Sequence, residues 1–182
     1  LGAELSSSVA LLLNNPYAEA LIGSVEFDIR ILPKDITSHI WSANVLDAKV
    51  KAGQRIVVEA VIESVRTDKR RYRIELEIPS DLAAGTYELT LSGSQDYEQF
   101  LVKAVPYRFV AQSLPGLVEA LRRTLDIKRD KLYCYLTLPA GGMVLETAEL
   151  PDLPATKMLV LQSTKRPIRA QLYPHWVEKT VD

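Results

Sequence analysis

Ile74-Glu-Leu-Glu-Ile-Pro-Ser-Asp-Leu-Ala-Ala-Gly-Thr-Tyr-Glu-Leu-Thr-Leu91 holds two runs in which apolar and polar residues alternate. Extended back to Tyr72, the first run sets Tyr72, Ile74, Leu76 and Ile78 on one face and Arg73, Glu75 and Glu77 on the other. The second sets Tyr87, Leu89 and Leu91 against Glu88 and Thr90. Successive side chains of a strand point to opposite faces, so each run predicts a strand with one buried and one wet face. Pro79 cannot donate to a ladder and ends the first strand. Gly85 offers the connection a position open to positive φ. The pattern is that of a β-sandwich.

Working outward, the neighbouring segments follow suit. Arg55 to Val65 is apolar on both faces, through Ile56, Val57, Val58, Ala60, Val61, Ile62 and Val65. That suits a strand at the centre of a sandwich or of a sheet carrying a helix. Val25, Phe27, Ile29 and Ile31 alternate with Glu26, Asp28 and Arg30 and predict a further half-buried strand. Ile36 to Lys49, with His39 and Trp41, is a weaker extended region, and Lys51-Ala-Gly-Gln54 a turn. Ser92-Gly-Ser-Gln-Asp96 predicts a turn and Tyr97 to Val105 a strand, closed by Pro106. The span from Val25 to Val105 then holds about six strands at sandwich-like intervals.

The period changes near Ser113. Leu114, Leu117, Val118, Leu121 and Leu125 recur at helical spacing, with Ser113 as the N-cap. Leu132, Cys134, Leu136 and Leu138 predict a strand, Ala140-Gly-Gly142 a turn, and Met143 to Leu145 the return. Leu150-Pro-Asp-Leu-Pro154 is a kinked connector and Lys157 to Gln162 another strand. The tail from Arg166 adds an edge strand. At the other end, Ser6-Ser-Ser8 before Val9-Ala-Leu-Leu-Leu13 and Asn14-Asn-Pro16 predicts a short helix. The expected fold class is mainly β: a helical lead-in over 1–19, an immunoglobulin-like β-sandwich over 20–106, and a small α+β unit with one main helix over 107–182.

The 182 residues are 47% apolar and 25% charged, as in an ordinary globular protein with a core. A net charge of −1 predicts no attraction to nucleic acid, and no apolar run approaches a membrane span. Cys134 is the only cysteine and His39 and His175 the only imidazoles, so neither a cysteine-based metal site nor a His-Glu-x-x-His motif is available. No metal or other cofactor is expected.

No catalytic constellation emerges. Ser92 and Ser94 flank Gly93 without a Gly-x-Ser-x-Gly elbow. Cys134 falls on the apolar side of its strand, where thiols are inert. Glu75, Glu77 and Glu88 would have to pair across a hairpin to act as glycosidase acids. Alternation instead places them on the wet face. Gly141-Gly142 lacks the Lys-Ser/Thr continuation of a phosphate loop. The surface candidates for binding are Trp41, Tyr97 and Trp176, whose rings suit sugars, and the basic run containing Lys69, Arg70 and Arg71. The competing expectations are packing into a core for the tryptophans and a solvated hairpin tip for the basic run.

Several pieces in order carry a resemblance. They are Asn15-Pro-Tyr17, Lys51-Ala-Gly-Gln54, Ile78-Pro-Ser-Asp-Leu-Ala-Ala-Gly-Thr-Tyr87, Pro106-Tyr-Arg-Phe109, Lys131-Leu-Tyr133 and Glu149-Leu-Pro-Asp-Leu-Pro154. This order resembles the C-terminal region of large secreted bacterial proteins related to the SpoIVB-type serine peptidases. The resemblance implies an accessory β-rich region in an exported, periplasmic or extracellular protein, downstream of a peptidase domain. It brings no catalytic role here. The family's serine lies in Ser-Gly-Ser-Pro, whereas Ser92-Gly93-Ser94 is followed by Gln95. The expected function is a non-catalytic structural or protein-interaction module, whose partner is another domain of the parent or another protein. The alternative is a glycan- or cell-surface-binding β-sandwich; a hydrolase is the third reading.

Overall fold

A computed structural model describes residues 2–26, 28, 31, 37–64, 69–145, 148–150, 154, 157 and 170–181. The chain is mainly β, with two antiparallel sheets and three helices among the described residues, and divides into two compact units. One unit comprises Leu1–Leu32 and Glu98–Lys128, the other Pro33–Tyr97 and Arg129–Asp182.

The larger unit holds both sheets. In the first, β1 (Ser38–Val45), β2 (Arg55–Ser64) and β3 (Arg70–Glu77) lie in that order. The second is centred on β5 (Leu132–Leu145). β4 (Leu89–Ser92) and β6 (Ala148–Leu150) pair with successive parts of β5, and β7 (Ala170–Val181) pairs along most of its length. The alternation of the opening stretch holds: Ile74, Leu76 and Ile78 are buried while Arg73, Glu75 and Glu77 are exposed. They meet the second sheet in two clusters. Ile56, Leu76 and Ile78 pack with Leu136, and Val58, Ala60 and Ile74 pack with Cys134. Tyr87, Leu89 and Leu91 flank these clusters, as their alternation predicts. Burying such side chains stabilises by about 1.5–3 kcal/mol each, so the facing rows of the two sheets hold this unit together.

Two turns depart from expectation. The positive-φ glycine is Gly53, at φ 79°, in the Lys51-Ala-Gly-Gln54 turn, where its N–H donates to the Ile78 carbonyl at 3.1 Å. Gly85 is not at positive φ. The Tyr87 ring lies 3.4 Å from where a Cβ on Gly85 would sit, and the Tyr87 hydroxyl donates to the Ala83 carbonyl at 2.7 Å. Ala140-Gly-Gly142 is no hairpin. β5 runs straight through it, with a register shift against β7 between Leu138 and Gly142. Glycines in a strand mark such irregularities as well as turns.

The smaller unit is helical. α1 (Gly2–Leu13) lies against α3 (Leu114–Leu125). The serines expected to cap α1 are inside it, and the Ser6 hydroxyl donates back to the Gly2 carbonyl. Its end is where the sequence sets it. Asn15 Oδ1 accepts from the N–H groups of Tyr17 and Ala18, and its amide donates to the Leu12 carbonyl. The Tyr17 hydroxyl then reaches the Ala111 carbonyl at 2.6 Å. Ser113 caps α3 as predicted, accepting from the Gly116 N–H at 3.2 Å.

α2 (Ser94–Ala104) replaces the strand expected over Tyr97–Val105. Tyr97, Phe100, Leu101, Ala104 and Val105 follow helical spacing, and all are buried or half-buried. The lead-in helix and the main helix anticipated over 107–182 are α1 and α3, so α2 is the helix that was not anticipated. The strand expected at Val25–Ile31 lies partly outside the described residues. Val25 and Ile31 are exposed and not in a strand, while Phe27, Ile29 and Arg30 lie outside the described residues. Apart from Lys157, the strand expected over 157–162 also lies outside them. The tail forms β7 as anticipated. The second sheet draws on residues 89–92 and 132–181, so the two layers come from both sides of residue 106.

Candidate functional site

The candidate site grows from an irregularity in β1. Ile40 pairs with Ile62 and Ser42 with Val61, which leaves Trp41 as an extra residue on its strand. Such a bulge re-aims a side chain. The Trp41 indole is 57% exposed. Lys69 Nζ sits 3.1 Å above the ring centre, and the His39 ring lies 6.3 Å away at a 53° tilt. Glu63, directly opposite His39 on β2, joins the two basic groups. Its carboxylate is 2.9 Å from His39 Nε2 and 3.8 Å from Lys69 Nζ. A cation over an exposed indole is worth about 0.5–1 kcal/mol. The cluster therefore holds the ring in one orientation in water, with one of its faces covered by the ammonium group.

Of the basic run, Lys69 belongs to this cluster. Arg71 pairs with Val61, in the cross-strand row that also holds Ser42, and is exposed. Arg70 is exposed one residue earlier, at the opposite parity, where it pairs with Ile62. His39 and Glu63 are parts of the site that the sequence did not single out. Their proximity depends on the β1–β2 register, which alternation alone does not fix.

Tyr97 and Trp176 belong elsewhere. Tyr97 is 5% exposed, stacked on Tyr133 at 4.1 Å with a 6° interplanar angle and tilted against Tyr135. Its hydroxyl donates to Glu178, which also accepts from the Trp176 indole N–H at 2.8 Å. Desolvation, then the Glu178 carboxylate, pushes the Tyr97 phenol well above its ordinary value. Tyr97 is thus not an exposed sugar platform: its ring is buried against Tyr133 and Tyr135 of β5. Trp176 is half-buried on β7 and does not share a strand or a sheet with Trp41.

The catalytic candidates stay dispersed. Ser92 is buried on β4 opposite Tyr133, and His175 lies opposite Leu138. Five residues of β5 separate those rows, roughly 17 Å at about 3.3 Å per residue, so they form no nucleophile–base pair. Cys134 is fully buried, and desolvation pushes its thiol up to about 11. Glu75 and Glu77 stand on β3, ion-paired to Arg55 at 3.5 and 2.8 Å. Glu88 precedes β4 in the other sheet, where its carbonyl accepts from Thr137, so the hairpin carboxylate pair does not form. Among the described residues no three of His, Cys, Asp and Glu cluster as metal ligands, and no helix is long and apolar enough to cross a membrane. In comparisons with family models, curated proteins and solved structures, the chain matches none.

Proposed function

We propose that this chain is a non-catalytic protein-interaction module of a larger exported bacterial protein, making its contact through the Trp41 platform. The observation that carries the reading is an exposed indole fixed by Lys69 and His39 on an edge strand. Tryptophan is enriched at the energetic centres of interfaces, where large rigid rings fill pockets at low entropy cost. The ordered motifs resembling the accessory region of SpoIVB-type peptidase relatives support the exported, periplasmic or extracellular setting. An immunoglobulin-like character for the two sheets belongs to the same proposal, supported by their antiparallel pairing and shared core. The glycan-binding alternative is weaker because Lys69 occupies one face of the ring that a sugar would stack on.

A turnover assay tests the non-catalytic part. Purified chain is incubated with casein and a fluorogenic peptide library, beside Ser92→Ala, Ser94→Ala and Cys134→Ala. The expected result is no hydrolysis above buffer. Turnover that disappears in one of the three variants would overturn the reading.

A further inference from the structure

We infer that the outer edge of β3 is a self-association surface, pairing with β3 of a second copy of this chain about a two-fold axis at Ile74. The site is distinct from the Trp41 platform and does not rest on it.

The first observation is which edges are protected. An edge strand presents unpaired N–H and C=O groups, and proteins blunt such edges with bulges, proline, shortness or like charge. β1 carries the bulge at Trp41. β7 carries Pro174 inside its span, and β4 and β6 have four and three residues. β3 is an eight-residue strand paired without a register shift to β2, and among the described residues no strand pairs with its other side. An open cleft of about 760 Å³ runs beside it, lined by Arg73, Glu75 and Glu77 of β3 and Glu178, Lys179 and Thr180 of β7.

The second observation is charge order. The outer-face positions of β3 read Arg71, Arg73, Glu75, Glu77, with exposed Arg70 at the opposite parity. This series is antisymmetric about Ile74. In an antiparallel pair centred there, Arg71 faces Glu77 of the second copy and Arg73 faces Glu75, and the two-fold axis repeats both pairs. Beneath them Tyr72 faces Leu76, and Ile74 faces itself. A self-complementary patch is what a two-fold interface requires. Sliding by two residues either way sets Arg73 against Arg73 or Glu75 against Glu75, and like charges directly opposite are destabilising. Sliding by one turns the wrong face outward. One register is left.

The carboxylates can serve both partners. Glu77 gives one oxygen, Oε1, to Arg55 and keeps the other for Arg71 of the second copy. Arg71 itself makes no ion pair among the described residues.

Sedimentation velocity over a concentration series tests the pairing, using the intact chain, Arg73→Glu, Glu75→Arg and the double variant, each checked for fold by circular dichroism. The intact chain should reach twice the monomer mass. Each single variant sets two like-charge pairs across the axis and should weaken association about tenfold or more. The double variant restores opposite charges and should dimerise again. An equimolar mixture of the two single variants places only opposite charges at these positions and should form a heterodimer. A monomeric intact chain, a dimer indifferent to the single variants, or a mixture that stays monomeric would each overturn the inference.

Discussion

Leu76 and Glu75 are neighbours in sequence and opposites in environment. Leu76 is buried between the sheets, whereas Glu75 stands in water with Arg55 and Arg73 at 3.5 and 3.6 Å. Leu76→Ala should cost about 2–5 kcal/mol, a transfer term plus a cavity. Glu75→Ala should stay within about 0.5 kcal/mol, because exposed ion pairs contribute little. Chemical denaturation of both variants checks this, and equal losses would place the strand one residue out of register. These inward and outward assignments were legible in the sequence because period two is a local property. Gly85 was not, since positive φ and room for a neighbouring ring both favour glycine. The same limit applies to Tyr97, where an aromatic residue gives no sign of whether its hydroxyl will meet water or Glu178.

At the scale of elements, the strands with one wet face were legible and the shorter amphipathic helix was not. β3 and the Tyr87–Leu91 run into β4 follow alternation that no helix would satisfy. α2 was obscured because its span also admits an extended reading between the Gly93 turn and Pro106. What decides it is a stripe from Tyr97 to Val105 that buries one side of the helix. The contact made by Tyr97 can be measured. Tyr97→Phe keeps the ring on Tyr133 and removes the hydroxyl from Glu178, and should cost about 1–3 kcal/mol. The pH dependence has a definite sign. A phenol raised in the folded state stabilises fully below its unfolded value, and that contribution fades as pH rises through the folded one. The margin of the intact chain over Tyr97→Phe in urea unfolding should therefore narrow above a pH of about 10. A variant as stable as the intact chain at neutral pH would show that the hydroxyl's bond to Glu178 contributes nothing.

For the whole molecule, the sequence indicated a mainly β chain and left the layering undetermined. The second sheet joins Leu89–Ser92 to Leu132 and Ala170, separations that local periodicity cannot report. The candidate site has the same character. Trp41 and Lys69 were both legible as surface candidates, but β2 and the β1 bulge bring them together with His39 and Glu63. On the proposed function, the contact is made at Trp41 and the partner is a protein. The most direct measurement is photo-cross-linking in the native host, with a benzophenone amino acid at position 41 and, as control, at exposed Gln95. A discrete protein adduct is expected from position 41 and none from position 95. No adduct from position 41, or a saccharide adduct in its place, would contradict it.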